Sequence, residues 1–182
     1  MSLPHALLTA LIERPGSGLE LAERFDRSLG HFWHATHQQI YRELARLEDA
    51  GWVASEPVPC GRGRKRSYAI CDLGRTELLR WLAEPTQPAP LRDELMVRLR
   101  AAAAVGPSDL AAAIAQRVAM HEAKLALYRS FEHKDFASCT DTSREHRLKH
   151  LVLQAGIRQE QLWIELANEA LAILQTPDVR AD

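Results

Sequence analysis

The chain is poor in the features that would mark an enzyme, a metalloprotein or a membrane protein. Its three cysteines, Cys60, Cys71 and Cys139, are an odd set without metal-ligand spacing, which points to a reducing cytoplasm. No apolar run approaches the ~20 residues of a membrane span, and the start lacks the basic-then-apolar pattern of a signal peptide. No Ser/His/Asp set, phosphate loop or dinucleotide fingerprint appears, and no carboxylate pair stands apart as an acid/base couple. Neither catalysis nor a cofactor is expected. An excess of charge of one sign is also missing, because 23 Lys and Arg meet 24 Asp and Glu. Any affinity for a polyanion must therefore come from local placement. The 46% hydrophobic and 26% charged content is ordinary for a globular chain of one large or two small domains.

Local placement is what residues 32–75 supply. Thr36 with Gln39 fits a Thr-x-x-Gln capping box, so a helix should begin at about His37, and Gly51 suits a left-handed terminator. At about 100° per residue, Ile40, Leu44 and Leu47 share one face, with His37 near its edge. Gln38, Arg42 and Ala45 point the opposite way, flanked by Tyr41, Gln39 and Arg46. Glutamine pairs in bidentate fashion with adenine, and arginine with guanine or a phosphate; a tyrosine hydroxyl suits a phosphate oxygen. Any solvated helix shows Gln and Arg outward. The cap, the stop and the segment that follows turn the reading toward DNA.

That segment is a basic hairpin. Residues 1–90 hold 11 Lys/Arg and 11 Asp/Glu, yet Arg62, Arg64, Lys65 and Arg66 crowd into five positions with no acid among them. Such a local basic point is the electrostatic footprint of a backbone contact. Gly61 and Gly63 let the turn take positive φ and approach a phosphate closely. A nuclear localisation signal is the rival reading of the same run. With strands near Val53–Pro57 and Ser67–Ile70, the whole reads as a winged helix-turn-helix, one helix in a major groove and the wing against the neighbouring backbone.

The residues Phe32-Trp33, Thr36-His37, Gln39-Ile40-Tyr41, Glu43-Leu44, Leu47-Glu48, Gly51-Trp52-Val53, Tyr68-Ala69-Ile70 and Gly74-Arg75 resemble the PadR family of bacterial transcriptional regulators. Leu91-Arg92-Asp93-Glu94-Leu95 and Gly156-Ile157-Arg158 extend the resemblance into the branch with a virulence-activator-type helical C-terminal region. It covers nearly the whole chain, specifically at the N-terminal end and as a looser helical pattern beyond. Two positions depart from it. Gln38 stands where many members have a small residue, and Cys71 replaces the threonine usual before Asp-x-Gly, leaving Asp72 as the expected helix cap.

The fold class expected is mainly α: a winged helix-turn-helix at residues 1–84, a Pro-rich linker at 85–90 and a long-helix dimerisation domain at 91–182. In the first domain a helix from Pro4 to Glu13 buries Leu7, Leu8, Leu11 and Ile12. Pro15-Gly16 breaks it, and Ser17-Gly18-Leu19-Glu20 is a second capping box, opening a helix with Leu21, Phe25 and Leu29 inward. A fourth helix spans about Leu73–Ala83. Three prolines in Pro85–Pro90 make a stiff joint. Beyond it, Arg92–Ala104 is one helix, Val105-Gly106-Pro107 a break, and Ser108 the cap of a long helix to about His133. A polar stretch from Lys134 to Thr142 precedes Ser143–Leu174, with Leu148, Leu151, Val152, Ala155, Leu162, Leu166 and Leu171. Helices ~40 Å long exceed what a small domain needs for its own core and usually bury a face against another chain. An intramolecular helical hairpin is the alternative.

His31, His34 and His37, and His146 with His150, have spacings that bring imidazoles together, but no carboxylate or cysteine completes either group, so no metal is expected. Trp33 and Trp52 read as core; Trp81 and Trp163 read as packing, or as the lining of an effector pocket at the domain junction. Cys60 beside the wing arginines is either a redox sensor or a thiol that fills a strand end. The reading is a cytoplasmic homodimer, joined through its C-terminal helices, that binds double-stranded DNA at an inverted repeat as a transcriptional regulator, a repressor in the first instance. Thr36, His37, Gln38, Gln39, Tyr41, Arg42, Arg62, Arg64, Lys65 and Arg66 form its DNA-binding set. The alternative is a ligand- or redox-sensing switch, its small-molecule effector site at the domain junction controlling DNA release.

Overall fold

The computed structural model describes residues 3–27, 35–58, 65–88, 90–106, 108–137 and 141–176, the side chains of 25–27 excepted. Phe25's side chain, Leu29, His31, Phe32, Trp33, His34, Cys60, Gly61, Arg62, Gly63, Arg64 and Cys139 lie outside the described residues. The chain divides into two compact units, residues 1–88 and 89–182.

In the first unit, α1 (Leu3–Glu13), α2 (Gly18–Arg27), α3 (His37–Asp49) and α4 (Asp72–Leu82) surround a sheet of β1 (Gly16–Ser17), β2 (Val53–Pro57) and β3 (Arg66–Ile70). The strand order is β1-β3-β2, antiparallel throughout, with Val53 opposite Ile70 and Pro57 opposite Arg66. Leu7, Leu8, Leu11, Leu21, Ile40, Leu44, Leu47, Val53 and Leu78 form one core from all four helices and β2. Ile12, expected in the buried stripe of α1, is exposed, since the stripe closes on Leu7, Leu8 and Leu11 without it. Each fully buried leucine contributes about 1.5–3 kcal/mol in area removed from water.

Strand β1 has no counterpart in the sequence reading. Two residues are too short to show alternation, and Gly16 and Ser17 pair with Tyr68 and Ser67 through backbone groups alone. The capping box beside it forms as its sequence implies: the Ser17 N–H donates to the Glu20 carboxylate at 2.9 Å and the Glu20 N–H to Ser17 Oγ at 3.3 Å.

Helix α4 corrects the expected cap. Asp72 is its first residue; Cys71 holds the N-cap position in extended conformation and gives no side-chain cap. The Cys71 N–H is taken by the Trp52 carbonyl at 2.9 Å, which fixes that residue at the end of the sheet. The Asp72 carboxylate still faces the positive end of the helix dipole in the first turn. Two residues on, Gly74 is buried so closely against the main chain just before β2 that a Cβ there would lie 2.3 Å from the Trp52 carbonyl oxygen.

The second unit holds α5 (Glu94–Val105), α6 (Leu110–Asp135) and α7 (Arg144–Gln175). Asp93 caps α5 by accepting from the Leu95 N–H at 2.8 Å, so this helix begins two residues later than expected. Ser108 is not the cap of α6; Asp109 holds that position without a side-chain bond. Ser143 caps α7 from just outside it, accepting from the His146 N–H at 3.1 Å. Helices α6 and α7 run antiparallel, as the pairs Glu132–His150 and His121–Glu160 require. The hairpin within one chain therefore forms.

It does not use up the apolar surface. Along α7, Gly156, Ile157, Ala167 and Ala170 are buried, whereas Leu148, Leu151, Val152, Leu162 and Ile173 are exposed. At 100° per residue these exposed side chains fall on one face, roughly opposite Ile157. At 32 residues α7 is about 48 Å long. Glu160 is buried in the hairpin at 3% exposure, its carboxylate meeting His121 Nδ1 at 2.5 Å and Lys124 Nζ at 2.7 Å.

Candidate nucleic-acid interface

Helix α3 is a solvated polar face mounted on a buried ridge. Ile40, Leu44 and Leu47 are at 0–2% exposure, while His37, Gln38, Gln39, Tyr41, Arg42, Ala45 and Arg46 are exposed. The ridge fixes the helix to α1 and α2, so the outer side chains are carried on a rigid element.

Both ends are secured. At the start, Thr36 Oγ accepts from the Gln39 N–H at 3.2 Å and the Gln39 side-chain oxygen accepts from the Thr36 N–H at 2.8 Å, a complete capping box. At the end, Gly51 takes φ +72°, its N–H donating to the Glu48 carbonyl at 2.9 Å and that of Trp52 to Leu47 at 2.9 Å. This is the Schellman arrangement, which needs a left-handed residue at that point. Gln39 thus has a structural duty that Gln38 and Arg42 lack: its oxygen is held in the cap, and only its amide N–H groups remain for a ligand.

Tyr41 is 45% exposed and leans on Gly18 at the start of α2, where a Cβ would lie 2.3 Å from the ring. Its ring is therefore backed by main chain. Among the described residues Arg42 has no hydrogen-bond or ion-pair partner. Arg46, beside it, is paired with Glu43 at 3.2 Å.

The wing stem differs from what its sequence suggests. The run holds no acid, yet both of its described cations meet one in space. Lys65 Nζ lies 3.1 Å from Glu20, the same carboxylate that caps α2. The Ser17 backbone N–H first, then Lys65, hold Glu20 down at about 2. Arg66 folds back over the sheet to Glu48 at 3.1 Å and also donates to Ser55 Oγ at 2.5 Å and the Ser55 carbonyl at 3.0 Å. Burial, then the neighbouring Glu48, push the Tyr68 hydroxyl above its usual value, so it stays a protonated donor. Glu20, Glu48 and Ser55 escape a reading of the sequence because their partners stand 45, 18 and 11 residues away with no spacing rule to connect them.

The remaining candidates pack within their own units. Trp81 stacks on His5 at 4.6 Å against the first unit's core, and His5 in turn meets Glu77 at 3.0 Å. Trp163 lies under the Arg117 guanidinium at 5.2 Å in the second unit. His150 bonds Glu132 at 2.7 Å and, with His146, packs on Phe136, so the pair closes the end of the hairpin. Among the described residues no group of three or more His, Cys, Asp and Glu is placed to hold a metal. No helix among them is long and apolar enough to cross a membrane.

Comparison with known proteins places this geometry. Residues 7–80 match the family described as "Transcriptional regulator PadR-like family", and residues 91–175 match "Virulence activator alpha C-term". The probable transcriptional regulator Rv1176c of Mycobacterium tuberculosis is 44% identical, over 96% of this chain and 98% of its own. The virulence activator AphA of Vibrio cholerae superposes with a TM-score of 0.79 at 32% identity, over 95% of this chain and 98% of its own. Bacillus subtilis PadR in complex with operator DNA superposes with a TM-score of 0.81 at 28% identity, over 94% and 97%. The same regulator in complex with p-coumaric acid gives 0.77 at 25% identity, over 96% of each chain.

Proposed function

The chain belongs to the PadR-like family of transcriptional regulators, and on that premise we propose that it binds operator DNA as a homodimer and represses transcription from it. The observation that carries the reading is the face of α3: Gln38 and Arg42 stand solvated on a helix whose opposite side is wholly buried. Gln38 and Arg42 read base edges, Gln39 contributes its amide N–H groups, and Thr36, His37 and Tyr41 contact phosphates beside them. Arg62, Arg64 and Lys65 hold the wing against the backbone. Lys65 leaves an exposed pair with Glu20 to do so, and such pairs are weakly held in water.

The operator complex of Bacillus subtilis PadR supports this assignment for a chain of matching fold. Residues 1–84 act as the DNA-binding domain, 85–90 as the joint and 91–182 as the dimerisation domain. The exposed apolar face of α7 supports the last of these, because a second copy would remove it from water. Two-fold symmetry then presents two recognition helices about 34 Å apart, and the operator is an inverted repeat. The cytoplasm is the setting, the protein is not an enzyme, and a small-molecule effector regulates it as the p-coumaric acid complex of PadR suggests.

Selection of binding sites from random duplex DNA at physiological salt tests the proposal. Enrichment of one inverted repeat with half-sites about one helical turn apart is the expected result. Binding that selects no sequence and vanishes as salt rises would leave only electrostatic contact.

A further inference from the structure

Arg66 belongs to the same basic run as Arg62, Arg64 and Lys65, yet its guanidinium is already committed. Nε donates to Ser55 Oγ at 2.5 Å, and one terminal nitrogen donates to Glu48 at 3.1 Å and to the Ser55 carbonyl at 3.0 Å. Ser55 Oγ donates in turn to the same Glu48 oxygen at 2.5 Å. These three residues come from three elements. Glu48 lies in the last turn of α3, Ser55 on β2 and Arg66 at the first position of β3, where the wing leaves the sheet. We propose that Glu48, Ser55 and Arg66 form a brace between the recognition helix and the wing, and that Arg66 is a positioning residue for operator specificity rather than a phosphate contact.

The physical case rests on redundancy and direction. A lone exposed ion pair would hold the wing loosely. Here two cation donors, a hydroxyl and a carboxylate close a ring of three hydrogen bonds, a fourth ties Arg66 to the Ser55 carbonyl, and loss of any member leaves the others short of partners. Serine is the element that makes the ring rigid, since its hydroxyl both accepts from Arg66 and donates to Glu48. Phosphates gripped by the wing and bases read by α3 lie on one duplex, so the angle between these elements decides whether both can be engaged at once. The acid at position 48 is the telling member: a carboxylate beside a DNA-binding surface repels phosphate, and here its charge is taken up by Arg66 and its oxygen by Ser55.

This inference rests on the DNA-binding reading above, and the test separates the two. Glu48→Gln, Arg66→Gln and the double variant would be made in the full chain, with binding measured on the selected operator and on a random duplex across a salt series. The brace predicts that each single change weakens operator binding about tenfold, and that the double variant is no worse than either alone. Random-duplex binding and the salt slope should stay unchanged. Glu48→Gln removes a negative charge, so a purely electrostatic role predicts tighter binding to both duplexes, and that outcome would overturn the brace. A salt slope lowered by about one in Arg66→Gln would make Arg66 a phosphate contact and overturn it equally. Amide hydrogen exchange over residues 53–58 and 65–70, without DNA, should quicken in both single variants and in Ser55→Ala. Unchanged exchange would sink the brace whatever the DNA results. A wild-type chain that selects no operator would instead overturn the functional reading and the specificity role with it.

Discussion

Arg42 and Lys65 carry the same charge in different settings, and they should fail differently. Arg42 stands on the solvated face of α3 with no partner among the described residues, so on the proposed reading it would lose only water on meeting a base. Arg42→Ala is expected to cost ~1–3 kcal/mol on the operator and to relax preference at one base position. Equal loss on operator and random DNA would remove it from base reading. Lys65→Ala should weaken all sequences alike and lessen the salt slope by about one, as loss of a phosphate contact does. A slope that does not move would strike Lys65 from the contact list. Gln39 shows the opposite condition at this scale, a polar side chain half spent on the cap before any ligand arrives.

Elements are fixed here by where main chains touch as much as by apolar stripes. Gly74 lets α4 approach the Trp52 carbonyl, and Gly74→Ala should destabilise the first unit by about 1–3 kcal/mol through the shift it forces. A thermal melt within a degree of wild type would show that the helix can slide away freely. In the second unit, burial alone would raise the Glu160 carboxyl, but Lys124 and His121 outweigh it and hold it below its ordinary 4.5. The ionised glutamate therefore stabilises the hairpin above that value, and the stabilisation is lost as pH falls below 4.5. Urea midpoints taken from pH 7 to pH 3 should drop at the acid end, and Glu160→Gln should flatten that drop while costing about 2 kcal/mol at pH 7. An equally steep drop in the variant would assign the acid sensitivity elsewhere.

The two units differ in how much of them could be read from the sequence. Helix α3 was fully readable, because its cap, its stripe and its terminating glycine are all local signals. The wing strands followed from the same kind of signal. Long-range pairings were not readable: nothing near Glu20 or Glu48 announces Lys65 or Arg66, and β1 is too short to carry a pattern. Caps in the second unit shifted by a residue or two because Ser108, Asp109 and Asp93 are all acceptable cap types, and packing chose among them. At the scale of the whole molecule, the exposed face of α7 is the feature with most consequence. Leu151→Glu combined with Leu162→Glu, both exposed in the single chain, should yield monomers in analytical ultracentrifugation. Operator binding should then fall by about 10²-fold or more, since each half-site would act alone. A double variant that sediments as a dimer would place the contact on another face.

The division of labour along α3 bears on how such regulators diversify. Position 39 is written into the start of the helix, whereas the side chains at positions 38 and 42 have no hydrogen-bond or ion-pair partner among the described residues. If 38 and 42 read bases as proposed, substitutions there change the preferred operator at little expense to folding, while 39 must remain a residue able to close the cap. A lineage built on this helix is free to explore new targets through two letters and is bound at the third. Duplicated copies can part company in the genes they govern long before they part company in structure.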